Sequence, residues 1–228
     1  MNKIGYSIIV VALGSIVPAK TVLADRDRLQ LLPELTAEWR QWAYSIPAGQ
    51  NPQEDATGQY CMVGQRGPIW FLAGVFLGGS ATRACTVPGD KTLFFPVINQ
   101  DDINSPNVCG SGPEDVPIKK LRAVTKGVVD SVTGLNVQVD GKNANKLAQR
   151  VKSIVYEITL PEENVFDAPC GGPGTVPAGV YSPAVDDGYY VLLEPLGPGR
   201  HTIRFRAAAE GVSQDVTYNL TVVPVSTK

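Results

Sequence analysis

Strict alternation of apolar and polar residues is the clearest pattern in this chain, and it lies near the C-terminus. Val216, Tyr218, Leu220 and Val222 are apolar, while Thr217, Asn219 and Thr221 between them are polar. A period of two turns one set towards a core and the other towards solvent, as in a strand of a sheet with one wet face. Two runs before it, 189–193 and 202–207, are rich in β-branched and aromatic residues. Gly197-Pro198-Gly199 and Glu210-Gly211 supply turns, so this region predicts three successive antiparallel strands. Upstream, 59–63, 69–76, 81–87 and 92–98 are short runs of similar composition, punctuated by Gly64 to Pro68, Gly78-Gly79 and Pro88-Gly89-Asp90. Residues 135–139 enter Asp140-Gly141, a strong hairpin signal, and alternation returns over 151–160. Turn signals at intervals of about 8–12 residues predict a mainly β protein, an antiparallel β-sandwich of immunoglobulin-like or jelly-roll-like form.

Helical periodicity is confined to two places. Over 29–45, Leu35, Trp39 and Trp42 recur at i, i+4 and i+7, Pro33 suits an early helical position, and Ile46-Pro47 ends the run. The Trp pair reads first as the docking stripe of an amphipathic helix on a sheet, and second as a stacking platform for sugar rings. A second short helix is predicted over 118–133 on Ile118, Leu121, Val124 and Val128, weakened by Gly127. Between strands and helix, 99–117 is dense in turn residues. Such length in a compact domain implies a functional loop or one pinned by its cysteine, Cys109. Residues 25–228 are expected to form a single domain, with a boundary inside 99–117 as the alternative.

The N-terminus changes the picture by fixing a compartment. Lys3 precedes an apolar run over 4–18 that is shorter than the roughly 20 residues of a membrane span, and Val22-Leu23-Ala24 resembles a signal-peptidase site. The expectation is a signal peptide over 1–24 and a secreted or periplasmic mature chain with no membrane span after cleavage. From 20 basic and 22 acidic residues the leader removes Lys3 and Lys20 alone, so the net charge moves from −2 to about −4. That balance argues against nucleic acid or an anionic membrane as partner.

Four cysteines remain in that mature chain: Cys61, Cys85, Cys109 and Cys170. An even count without C-x-x-C in an exported chain implies two disulfides rather than a zinc site. Of three pairings, Cys61–Cys85 with Cys109–Cys170 is favoured. The first pair flanks one apolar run, and the second lies in two Gly/Pro-rich loops, VCGSGP and APCGGPG.

Three longer stretches are distinctive: W-F-L-A-G at 70–74, T-R-A-C-T-V-P-G-D-K-T-L-F-F-P at 82–96, and V-D-D-G-Y-Y-V-L-L-E-P-L-G-P-G-R-H-T-I-R-F at 185–205. With them the chain resembles a family of uncharacterised secreted bacterial proteins with an immunoglobulin-like C-terminal end. The resemblance implies export and a β fold, and brings no activity or catalytic residues with it.

Chemistry is sparse. His201, the single histidine, flanks a turn, and no G-x-S-x-G supplies a nucleophile elbow for a triad. Paired cysteines offer no thiolate. The carboxylate pairs Asp101-Asp102 and Asp186-Asp187 are the candidates, read as loop residues able to bind calcium through hard oxygen ligands or a polar ligand directly. Asp-Asp-Gly is also ordinary turn chemistry, and no D-x-D-x-D-G series is present. Trp70, Phe71, Phe76, Phe94 and Phe95 read as core in preference to a ligand groove. The expected function is therefore non-enzymatic: an exported, disulfide-stabilised binding protein whose partner is a protein or polysaccharide outside the cytoplasm. The alternatives are an extracellular carbohydrate-active hydrolase, using Asp101 or Asp102 with Asp186, Asp187 or Glu163, and a structural or assembly protein whose edge strands pair with a neighbour.

Overall fold

Phe94 and Phe95 are adjacent in sequence, both fully buried, and belong to different cores. The strand that carries them is therefore covered on both faces, and the architecture follows from that. The computed structural model describes the backbone of residues 19–225 and side chains from Gln30 onward. The leader expected over 1–24 lies outside the described residues as far as residue 18. One compact unit begins at Leu32; the helical residues before it fall in another.

Two sheets form a sandwich. The first contains β1 (Ile69–Phe71), β3 (Thr92–Ile103), β8 (Gly179–Leu193) and β6 (Ala148–Lys152) in that order, with β7 (Tyr156–Leu160) also paired to β8. The second has the order β2 (Gly79–Pro88), β10 (Val212–Val223), β9 (Gly199–Ala209), β4 (Thr133–Val139), β5 (Lys142–Asn143). Between the sheets Phe95 stacks on Phe205 with ring centroids 4.9 Å apart, beside Tyr218, Val191 and Ile203. On the outer face of the first sheet lies the part of α1 (Ala19–Tyr44) from Leu32 onward, whose Trp39 and Trp42 pack in the core that contains Phe94 and Tyr190. Trp39 donates its indole N–H to Leu72 O and Trp42 to Val63 O, so both rings anchor the helix and neither is free to stack a sugar. The helix α2 (Ile118–Asp130) packs beside β3 and β8 through Leu121, Thr125 and Val129.

The sandwich is mostly antiparallel, but β1–β3 and β2–β10 are parallel pairs. Parallel neighbours need a crossover, and β1 and β3 obtain theirs because β2 between them crosses to the other sheet. Other expectations are corrected. Residues 59–63 are turns, because the Asp55 carboxylate accepts N–H groups from Thr57, Gly58 and Tyr60 and winds the chain there. The strand expected over 69–76 stops at Phe71; beyond it the carbonyls of Leu72, Ala73 and Gly74 are taken by the side chains of Trp39 and Arg83. Pro33 sits inside α1 and not in its first turn. The run 189–193 does not pair with 202–207. Both edges of β8 are already occupied, by β3 on one side and by β6 and β7 on the other, so the chain crosses at 194–198 to the second sheet. The β9–β10 hairpin closes as expected through Glu210-Gly211.

Disulfides join Cys61 to Cys85 and Cys109 to Cys170. The loop expected over 99–117 begins only at Asn104, whose side chain donates to Asp115 and Ser182 O and accepts the Val116 N–H, tying both ends of the loop together. Strands from both sides of this loop pair with one another in both sheets, β3 with β8 and β2 with β10.

Candidate functional site

A β-bulge sets the geometry. The register of β3 on β8 shifts between Pro96 and Ile98, and one extra residue reverses which positions face which core. Before the bulge the even residue Phe94 faces α1; after it the odd residues Asn99 and Asp101 do. Asp101 then stands opposite Asp186 of β8 on the α1 face. Two carboxylates brought together in a dry layer repel unless a cation joins them, and Arg40 of α1 is that cation. Its Nε donates to Asp186 Oδ2 at 2.7 Å, and its Nη1 lies 3.0 Å from Asp101 Oδ1. Nη1 also donates to Tyr44 Oη, which in turn donates to Asp101, while Tyr190 Oη donates to Asp186 Oδ1. Asn99 donates to Tyr190 Oη at 2.7 Å.

Electrostatics follow from burial. Asp186 is wholly buried, which pushes its carboxyl up to about 7 against the opposing pull of Arg40 and the Tyr190 hydroxyl. Burial likewise raises the phenols of Tyr44, Tyr190 and Tyr156 well above the ordinary tyrosine value. Burial also works against the charge on Arg40, but the carboxylates of Asp101 and Asp186 outweigh it. The Tyr156 hydroxyl is buried without a hydrogen-bond partner among the described residues.

Asp187 points to the other face of β8. Its carboxylate takes a two-pronged contact from Arg150 of β6, at 3.0 and 2.9 Å, and Arg150 also reaches Asp130 at the end of α2. Between β6 and β7 the chain leaves the ladder at Ser153, which exchanges hydrogen bonds with the backbone of Asp186 while Arg122 caps both carbonyls. The reading of Asp186-Asp187 as a loop pair is thus corrected: both lie mid-strand, because arginines neutralise them and the ladder satisfies their backbone. Asp101-Asp102 likewise extends β3 instead of entering the loop.

A pocket of about 410 Å³ lies where these elements meet. Its floor includes Arg40, Tyr44, Asn99 and Asp101, and its walls are mainly apolar: Val75, Phe76, Ile98, Ile158, Leu160, Phe166 and Val212. Cys109 and Cys170 close one side, so the second disulfide is part of the wall. At the rim Leu77 is 66% exposed with φ 59°, a left-handed backbone that is strained for a branched residue. Asp102 lines the same pocket from the opposite face of β3. Burial raises its carboxyl, with the Asp101 charge adding and the Ile103 N–H and Lys120 opposing. Gln53, only 4% exposed, lines it too, and its amide oxygen has no partner among the described residues.

Of the acids singled out in sequence, the fold joins Asp101 and Asp186 through Arg40, sets Asp102 at the pocket from the opposite face of β3, and pairs Asp187 with Arg150. Glu163 is exposed in a turn and does not line the pocket. His201 is far from this chemistry: Nδ1 meets Asp140 Oδ2 and Nε2 meets Gly197 O, each at 2.8 Å. Trp70, Phe94 and Phe95 are core, while Phe71 and Phe76 are half-buried against it. Arg40, Tyr44, Tyr190 and Gln53 escaped sequence reading. A signal existed for two of them, since Thr36, Arg40 and Tyr44 form an i, i+4, i+8 row beside the Trp stripe. No cluster of three or more His, Cys, Asp or Glu among the described residues could hold a metal, and guanidinium groups stand where a calcium ion would meet Asp101, Asp186 and Asp187.

Arg83 explains a different part of the sequence. Buried in the distinctive T-R stretch, it donates to Ala73 O, Gly74 O and Asp55 O and to Tyr218 Oη, locking 70–74 to β2 and β10. That role is structural. No family model, curated protein or solved structure matches this chain.

Proposed function

We propose that this chain is an exported, non-enzymatic binding protein of the bacterial envelope or exterior, with its ligand seated in the pocket beside β3. The observation that carries the reading is the pocket itself: apolar walls, a few convergent polar groups, and a volume in the range of ligand sites, roughly 300–1,000 Å³. The state of the carboxylates supports binding over hydrolysis. A glycosidase needs one acid free to give a proton and another free to attack or to activate water. Here Asp101 and Asp186 share one guanidinium, Asp187 is held by Arg150 on the far face, and Asp102 points away from Asp101. Two disulfides and the absence of a helix long and apolar enough to cross a membrane among the described residues accord with export.

The test is retention of the oxidised chain on arrays of glycans and of peptides, compared with Val108→Trp, which fills the pocket from its half-buried loop wall. Retention that the substitution abolishes, with an unchanged unfolding curve, is the expected outcome. Retention indifferent to it moves the binding site elsewhere, and turnover of a glycoside that Asp101→Asn or Asp102→Asn removes would replace binding by hydrolysis.

A further inference from the structure

Every residue from Ile98 to Ile103 lines the pocket. Successive residues of a strand point to opposite faces, so a pocket that touches six in a row must run along the strand's edge. That edge is open. β1 covers β3 only at Thr92–Phe94, and no described strand pairs with the same side of β3 beyond it. The backbone of Asn104 is turned to β8, where its N–H meets Pro183 O. Alternation then turns the backbone groups of Asn99, Asp101 and Ile103 towards the pocket.

The free protein covers this edge with side chains. Gln214 donates its amide to Val97 O, Gln100 donates to Asp101 O at 2.6 Å, and the Asp102 carboxylate accepts the Ile103 N–H at 3.1 Å. Three side chains thus take the place of a neighbouring strand, and two of them, Gln100 and Asp102, are half-exposed and free to be displaced. At the edge Asp102 is half-exposed and lines the pocket, while Arg40 is already held between Asp101 and Asp186. The orphaned Gln53 oxygen adds another acceptor with no donor. The half-exposed Asp102 carboxylate and the Gln53 oxygen are thus acceptors presented beside the open edge.

We propose that the edge of β3 from Ile98 to Ile103 takes up an extended peptide of a partner protein as an added strand, with a Lys or Arg of that peptide meeting Asp102. This rests on the pocket being the binding site. Main-chain hydrogen bonds to Asn99, Asp101 and Ile103 supply affinity, and side chains that alternate along the peptide supply specificity. One set enters the apolar space by Phe76 and Phe166 on the α1 side; the other, carrying the basic residue, passes Asp102. Six residues of edge span roughly 20 Å.

The probe is a library of capped hexapeptides with Lys fixed at position three and Val, Ile, Phe or Thr elsewhere, measured by fluorescence anisotropy on the oxidised full chain. Binders should lose about tenfold or more in affinity when their edge-facing amides are N-methylated, since each such amide loses its hydrogen bond to the edge. They should weaken when Lys becomes Glu, and should slow hydrogen exchange at Asn99, Asp101 and Ile103. Gln100→Ala should tighten binding, because a displaceable cap is gone; a merely structural Gln100 would not do so. Equal binding of N-methylated peptides overturns strand addition. So does a library without binders while array retention still depends on Val108, an outcome that leaves the pocket reading intact. Retention indifferent to Val108→Trp overturns both. Dimerisation that protects the same three amides without peptide makes a second copy the occupant and overturns the partner assignment.

Discussion

Arg40 carries a full charge into a layer where its side chain is 5% exposed, and the two carboxylates it meets are 12% and 0% exposed. Such a group adds little net stability when paired, yet its removal leaves two carboxylates without their cation. Arg40→Ala should therefore lower the unfolding free energy by about 3–5 kcal/mol, read as a shift of the urea midpoint at unchanged slope. An effect below about 1 kcal/mol would mean that water already reaches the pair. His201 offers a cleaner titration because it is the single histidine. Its hydrogen bond with Asp140 raises its pKa above the ordinary 6.5. A raised histidine stabilises the fold fully below the unfolded value, and that contribution disappears as pH rises through the folded value. The imidazole proton resonances should accordingly titrate above 6.5, and Asp140→Asn should bring the midpoint back down. Burial of Asp186 and the two-pronged hold on Asp187 were not readable from Asp-Asp-Gly, because the cations responsible lie 146 and 37 residues away.

Among the elements, β3 and β8 form the longest pairing in the first sheet, and Gly188 stands opposite Asn99 in it. A Cβ at Gly188 would stand 2.4 Å from Asn99 Cβ and 2.8 Å from Ile98 O, so the strands would have to separate. Gly188→Ala should cost about 2 kcal/mol or more and disturb the bulge, visible as lost protection of the Ile98 and Asn99 amides. The same substitution in α2 should act with the opposite sign. Gly127 is exposed in mid-helix with nothing near its missing Cβ, and Gly127→Ala should stabilise by about 0.5–1 kcal/mol in thermal or urea unfolding. Periodicity found α2, β2, β9 and β10 because each keeps one wet face. It failed for β8, where Pro183 and Asp186-Asp187-Gly188 are turn chemistry and the surrounding sheet overrides them.

For the whole molecule, the two disulfides differ in what they hold. Cys61–Cys85 is buried in the core between the sheets, whereas Cys109–Cys170 joins two loops at the pocket wall. Opening the second, whose cysteines are 61 positions apart, should cost about 4 kcal/mol on the chain-entropy account. Cys109→Ala with Cys170→Ala should therefore lower the melting temperature. Because the same bond walls the pocket, peptide affinity should fall in that variant even under conditions where it remains folded. Unchanged affinity would place the loops outside the binding site.

The sequence by itself determined a mainly β sandwich, the amphipathic stretch of α1, the helix α2 and the turns at Asp140-Gly141 and Glu210-Gly211. These depend on local periodicity and on residues that accept special backbone angles, both written in neighbouring positions. The stretches around its cysteines also favoured, among three pairings, the one that the structure contains. Only the tertiary structure decided which strands neighbour which, that β8 and β9 part company, and that β3 keeps an open edge. It also decided, through one extra residue at the β3 bulge, that Asp101 and not Asp102 faces Asp186 and Arg40. Pairing across a sheet is a contact between distant segments, and a single-residue shift there reverses every side chain that follows. No local pattern records such a shift, and it is that shift which places the carboxylates, the guanidinium and the open edge around one pocket.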